Sequence, residues 1–174
     1  MKTMKSFFLF LLLALCFSSC GDGDGPEPGM IWDIAPYNIL ITVADAEGND
    51  LLDPEAENNL VGNVITATFE GKTYEMEVDT NSVAGSVSGR AILPVFHGLV
   101  LHKQTDGPYM LTFGEFAGDT NLDATDVTID WGEGLPQDVI TVSHRFWWKN
   151  HEPQQETTVL LNGVKTDNKV HIIK

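Results

Sequence analysis

The sequence predicts an all-β fold in which two antiparallel sheets, about eight strands in all, pack face to face as a sandwich. Three observations carry this. Apolar residues recur with period two, no stretch keeps a helical period, and turn-forming residues punctuate the chain at the spacing of short strands. After residue 30 the β-branched and aromatic runs come at 38–44 (NILITVA), 63–70 (NVITATFE), 73–79 (TYEMEVD), 90–103 (RAILPVFHGLVLHK) and 108–114 (PYMLTFG). Four more follow at 125–131, 138–148, 156–162 and 169–174. Between them lie Glu47-Gly48-Asn49, Glu70-Gly71-Lys72, Asp106-Gly107-Pro108, Gly132-Glu133-Gly134 and Asn162-Gly163, combinations suited to tight turns. Within the long run at 90–103, Pro94 and Gly98 mark a bulge or an edge. The stretch 54–59 (PEAENN), with Asp53 as a potential cap and Pro54 at a potential first helical position, reads as a loop.

Ahead of these runs stands MKTMKSFFLFLLLALCFSSC. Lys2 and Lys5 form a positive region, residues 7–17 an apolar one, and Ser18-Ser19 place small residues before Cys20. The apolar run is shorter than the roughly 20 residues that a membrane-spanning helix needs. The pattern resembles bacterial lipoprotein signals, whose lipobox puts a small residue directly before the modified cysteine; Phe17 stands where that pattern prefers Leu. The resemblance implies lipidation at Cys20 and attachment to a membrane through a lipid anchor, which is stable when more than one acyl chain is present. The alternative is an ordinary secretory signal cut near Ser19, with Cys20 unmodified. The chain therefore divides into a signal peptide at 1–19, an acidic Gly/Pro tether at 20–29 and a β-domain at 30–174. The tether (GDGDGPEPG after Cys20) has too little apolar surface to offset the entropy of ordering. Its Asp22, Asp24 and Glu27 also resemble the export signal of Bacteroidetes-type surface lipoproteins, which implies an outer-membrane protein at the cell surface. A periplasm-facing protein is the alternative.

The sequence carries 25 acidic against 10 basic residues, a formal charge of −15. Removing residues 1–19 takes away Lys2 and Lys5 and no acid, which makes the balance more negative still. Such a chain repels phosphates, so nucleic acid is excluded as a partner. Cys16 departs with the signal and Cys20 carries lipid, leaving no thiol for a disulfide or a thiolate metal site. Stability must come from one hydrophobic core, for which the chain is long enough.

Several stretches taken in order, 42–54 (TVADAEGNDLLDP), 127–142 (VTIDWGEGLPQDVITV), 146–150 (FWWKN) and 159–163 (VLLNG), resemble a largely uncharacterised group of small Bacteroidetes-type surface lipoproteins. The resemblance implies an immunoglobulin-like or transthyretin-like form of the sandwich, and a location, but no chemistry. The hexapeptide 129–134 (IDWGEG) is also similar to the Trp-Gly-Asp-Gly hairpin of polycystic-kidney-disease-type surface modules, with Glu133 as its acid.

Three groups of residues are candidates for a site. Counted as a twelve-residue loop, 119–130 places Asp119, Asn121, Asp123 and Asp130 at positions 1, 3, 5 and 12, the oxygen-ligand spacing of a Ca2+ loop. Against it, Ala124 stands where the turn requires Gly, Asp126 stands where such loops bury an apolar residue, and the alternation Val127, Ile129, Trp131 puts Asp130 on a strand. A second cluster, Asp45, Glu47, Asn49, Asp50 and Asp53, has no ligand spacing and reads as turn formers. In the aromatic run, Trp147 and Trp148 must face opposite sides of a strand, so one points inward and the other outward. The outward one either lies under a neighbouring loop or stacks on a sugar ring, with Asn150, His151, Glu152 and Gln154 as hydrogen-bonding neighbours.

Catalytic patterns are sparse. The five histidines, His97, His102, His144, His151 and His171, show no paired metal-ligand spacing, and neither a nucleophile elbow nor a phosphate-binding Gly loop is present. Ser143 and His144 are adjacent on one strand and so point to opposite faces. The sequence thus predicts a lipid-anchored binding protein of the cell envelope, without catalysis or an obligatory cofactor, acting in adhesion or surface assembly on an unnamed protein or glycan ligand. Glycan capture for polysaccharide uptake is the alternative.

Overall fold

The computed structural model describes residues 25–79, 96–105 and 107–174. Cys20, the signal peptide, Pro94 and Asp106 lie outside the described residues. The described residues form ten strands in order: β1 (Tyr37–Ala44), β2 (Thr66–Phe69), β3 (Lys72–Val78), β4 (Leu99–Lys103), β5 (Tyr109–Phe116), β6 (Leu122–Asp130), β7 (Asp138–Lys149), β8 (Glu152–Leu161), β9 (Val164–Thr166) and β10 (Lys169–Ile173). Among the described residues there is no helix, and 54–59 is a series of turns.

The all-β class holds, but a two-sheet antiparallel sandwich of eight strands does not. The strands form one sheet in the order β10-β1-β5-β4-β3-β2-β6-β7-β8-β9, rolled into a nearly closed, barrel-like shape. Two pairings, β1 with β10 and β3 with β4, are parallel. The reason lies in β3. Its first half, Lys72 to Glu75, pairs with β2, while Met76 to Val78 pair with β4. One strand therefore serves both halves and joins what would otherwise be separate sheets, a corner of the kind made by strands that switch sheets.

Aromatic rings fill that corner. Phe69 of β2 meets Phe113 and Phe116 of β5 edge-on at 5.9 and 5.5 Å, and Phe96 stacks against Phe69 at 5.9 Å. Two glycines make the approach possible. Gly98 and Gly114 both hold positive φ, 79° and 91°, and the Gly114 N–H donates to the Gly98 carbonyl at 3.1 Å. A Cβ at Gly98 would come within 2.9 Å of the Tyr74 ring, and one at Gly114 would overlap Phe116.

The predicted alternation sets the inner face. Ile39, Ile41 and Val43 of β1, Val127 and Ile129 of β6, Ile140 and Val142 of β7, and Val170 and Ile172 of β10 are buried in one cluster with Trp131. Each such side chain contributes about 1.5–3 kcal/mol by leaving water. The Trp131 indole N–H donates to Asp138 Oδ2 at 2.8 Å, and Lys174 Nζ sits 2.6 Å from the same oxygen. Asn162 Nδ2 donates to Asp138 Oδ1 at 2.8 Å, and the Asn162 carboxamide oxygen accepts the Val139 N–H at 2.9 Å. Burial alone would raise the Asp138 carboxyl, but the hydrogen bonds from Lys174, Asn162 and Trp131 outweigh it and hold the group below the ordinary carboxylate range. These bonds, centred on the buried Asp138, fasten the end of β6, the start of β7, the β8–β9 turn and the end of β10.

Candidate functional site

The β7–β8 hairpin outruns the rest of the sheet. Pairing of β7 with β6 ends at His144 opposite Leu122, whereas pairing with β8 continues to Lys149 opposite Glu152. Strand β9 covers β8 only at Val159 to Leu161. Residues 145–149 and 152–156 therefore project as a two-stranded arm. The arm turns at Asn150-His151, where φ is 53° and 64°. Two consecutive positive φ values make the twist-matched hairpin turn, here without glycine at either position.

Strand alternation gives the arm two unlike faces. On the inner face, Phe146 and Trp148 stand opposite Gln155 and Pro153, and the two rings meet edge-on at 5.6 Å. Trp32, from the segment preceding β1, covers Trp148 at 6.2 Å. That segment also touches the turn, because His151 Nδ1 lies 2.9 Å from the Gly25 carbonyl and bonds to it. On the outer face, Trp147 is 41% exposed. Opposite it is Gln154, and on either side stand the cross-strand pairs Arg145–Glu156 and Lys149–Glu152. Of the residues considered for a glycan contact, Gln154 and Glu152 are on the strand facing Trp147, whereas the others separate. Trp147 faces out, Trp148 is half-buried under Trp32, and Asn150 and His151 form the turn. The polar surroundings of Trp147 are Gln154, Arg145, Lys149, Glu152 and Glu156.

The structure does not bring Asp119, Asn121, Asp123 and Asp130 together. Asp123 and Asp130 lie near opposite ends of β6, roughly 23 Å apart at about 3.3 Å per residue, so they do not share a coordination sphere. Strand propensity at Val127 and Ile129 overrides the loop spacing. Their side chains have other duties. Asn121 Oδ1 accepts the Phe146 N–H at 2.7 Å, and Asp119 Oδ1 accepts from the Thr120 hydroxyl at 3.4 Å. Asp130 accepts from the Gly132 N–H at 2.9 Å and from Gln137 at 2.7 Å, which hold its carboxyl below the usual range. In the second acidic cluster, Asp45 accepts from the Asn49 side chain and from the Asn49 and Glu47 N–H groups, again lowering its carboxyl. Asp50 accepts from the Leu52 and Tyr109 N–H groups, and Asp53 from that of Glu55. Among the described residues no three His, Cys, Asp or Glu side chains gather as a metal site.

Two polar arrangements have no signal in sequence spacing because their members come from separate elements. His144 is fully buried. Its Nε2 donates to the Gly118 carbonyl at 2.9 Å, and its Nδ1 lies 2.7 Å from the Thr157 hydroxyl. Its ring stacks on Tyr37 at 4.3 Å, and burial pushes the Tyr37 phenol up to about 12. On the outer face of the sheet, Asp79 Oδ2 lies 3.4 Å from His102 Nδ1, and His102 Nε2 lies 2.9 Å from Thr112 Oγ1. Thr112 sits mid-strand, 3.5 Å from the Val100 carbonyl, and this carboxylate–imidazole–hydroxyl series runs from the end of β3 across β4 to β5. A groove of about 400 Å³ opens beside β1 and β10, bordered by Thr42, Ala44, Asp50, Pro108, Lys169 and His171.

No family model, curated protein or solved structure matches this chain. Among the described residues no helix is long and apolar enough to cross a membrane.

Proposed function

We propose that the chain is a lipid-anchored, non-catalytic binding protein of the cell envelope, held at the outer membrane and facing the cell surface, which acts in adhesion or surface assembly through the β7–β8 arm. The observation that carries this reading is the arm itself. It extends past its neighbours on both sides, and it presents an ordered outer face of Arg145, Trp147, Lys149 and their β8 partners. A central exposed Trp beside an Arg, ringed by charges, is the composition of a protein-binding hot spot. The resemblance to surface lipoproteins and the signal pattern ending at Cys20 support the location.

The experiment is fractionation and surface proteolysis of cells producing the wild type or Cys20→Ala, followed by ligand capture with Trp147→Ala. The expected result is a membrane-bound, protease-accessible wild type, a soluble Cys20→Ala protein, and lost capture for Trp147→Ala at unchanged stability. Equal membrane association of both proteins, or capture indifferent to Trp147, overturns the reading.

Glycan capture remains the second reading, favoured by one observation: the Trp147 ring is flanked by Gln154 and by alternating acids and bases that can hydrogen-bond sugar hydroxyls. A glycan array decides between the two. Retention on sugars that is abolished by Trp147→Ala selects carbohydrate capture over adhesion.

A further inference from the structure

We infer that Met30, Ile31 and Trp32 form a lipid-contacting surface that docks the turn end of the arm onto the membrane, so that the anchor does not merely tether the domain but orients it. This rests on the proposed lipidation of Cys20. Ile31 is 96% exposed, Met30 48% and Trp32 37%, three consecutive large apolar residues on an otherwise strongly acidic chain. Their position is fixed at both sides. Gly25 is bonded to His151 at the arm's turn, and Trp32 is seated on Trp148. The apolar triplet therefore belongs to the arm and not to a free tail.

Chain length supplies the occupant. Cys20 precedes Gly25 by five residues, a reach of at most about 18 Å. A domain whose first described contact lies that close to its acyl chains meets the bilayer interface with this end of the molecule, where the large side chains, Met30, Ile31 and Trp32, are apolar and aromatic. Trp is suited to the interface because its ring is amphipathic, and Ile and Met gain by leaving water for acyl chains. The negative balance of the chain disfavours anionic headgroups, so the contact suits a zwitterionic surface. Docking there leaves Trp147, on the opposite face of β7, available for a partner.

The test uses the lipidated protein carrying Trp147→Phe and Trp148→Phe, which leaves Trp32 and the fully buried Trp131 as its indoles. It is reconstituted in phosphatidylcholine vesicles with or without brominated acyl chains, floated on a density gradient and read by fluorescence. The expected result is flotation with quenching of Trp32 by bromine. Ile31→Ser in the same background should still float but lower the docked-to-undocked ratio by about tenfold. Flotation without quenching, or quenching unchanged by Ile31→Ser, overturns the docking and leaves the anchor standing. Failure to float overturns both.

Discussion

The carboxamide oxygen of Asn121 accepts the backbone N–H of Phe146 at 2.7 Å, across the point where the β6 ladder stops and the arm begins. A side chain thus substitutes for the next rung of the sheet. Asn121→Ala removes that acceptor and should cost about 1 kcal/mol of stability, the net worth of an ordinary hydrogen bond. The loss should also concentrate in the arm, as faster amide exchange at Phe146. Because Asn121 serves the backbone here, the melting temperature should be the same with calcium or with chelator, in wild type and variant alike. A calcium-dependent shift present only in the wild type would return Asn121 to a ligand role.

Asp138 should contribute to the acid side of the stability curve. Its carboxyl is held below the ordinary range when folded. The stability it contributes is therefore complete above the unfolded carboxylate value of about 3.9 and is lost as pH falls through the lower folded value. Asp138→Ala leaves the Lys174 ammonium, the Trp131 N–H and the Asn162 amide without their shared acceptor. Removal of one partner from a buried ion pair costs about 3–5 kcal/mol. Urea denaturation at neutral pH should show that loss, and the variant should be less sensitive than the wild type to a fall in pH below the ordinary carboxylate range.

Tyr37 should act at the other end of the scale. Its phenol is raised from 10.0 to about 12 by burial against His144 and its surroundings. The folded state then holds its proton where the unfolded state has lost it, so stability is intact below pH 10 and declines as pH rises from 10 towards 12. Tyr37→Phe should flatten that part of the curve while leaving the neutral-pH midpoint nearly unchanged. A wild-type alkaline limb as steep as that of Tyr37→Phe would show that the phenol is not desolvated.

How far the sequence reveals this fold depends on which contacts are local. Val127, Ile129 and Trp131 alternate and so mark both the strand and its inner face, and Glu70-Gly71 and Asn162-Gly163 mark their hairpins through glycine. The pairing of β10 with β1 leaves no such mark, because Thr42 and Val170 meet across 128 positions and period two is blind to pairing partners. The double duty of β3 is hidden for the same reason. At the site, alternation separates Trp147 from Trp148 without any structure. The assignment of faces needs Trp32, which arrives from a segment whose Gly- and Pro-rich flank reads as a linker. The Asn150-His151 turn is missed because neither residue is glycine, so the chain appears to continue past Trp148 into a loop.

The pair Trp147 and Trp148 provides the sharpest test of the arm. Trp148 faces inward against Trp32, Phe146 and its strand partner Pro153, and is only half-buried. Its truncation should therefore cost less than the roughly 3–5 kcal/mol of a fully buried aromatic, about 1–3 kcal/mol, because part of the ring is already in water. Trp147→Ala should cost under about 1 kcal/mol, as surface substitutions do, while carrying the whole loss of ligand retention. The second effect of Trp148→Ala should be on Trp32, whose emission should shift to the red as its packing partner disappears. If instead Trp147→Ala is the more destabilising of the two, the outer face of the arm is covered in solution, and the binding surface must be sought elsewhere on the sheet, first at the groove between Thr42 and His171.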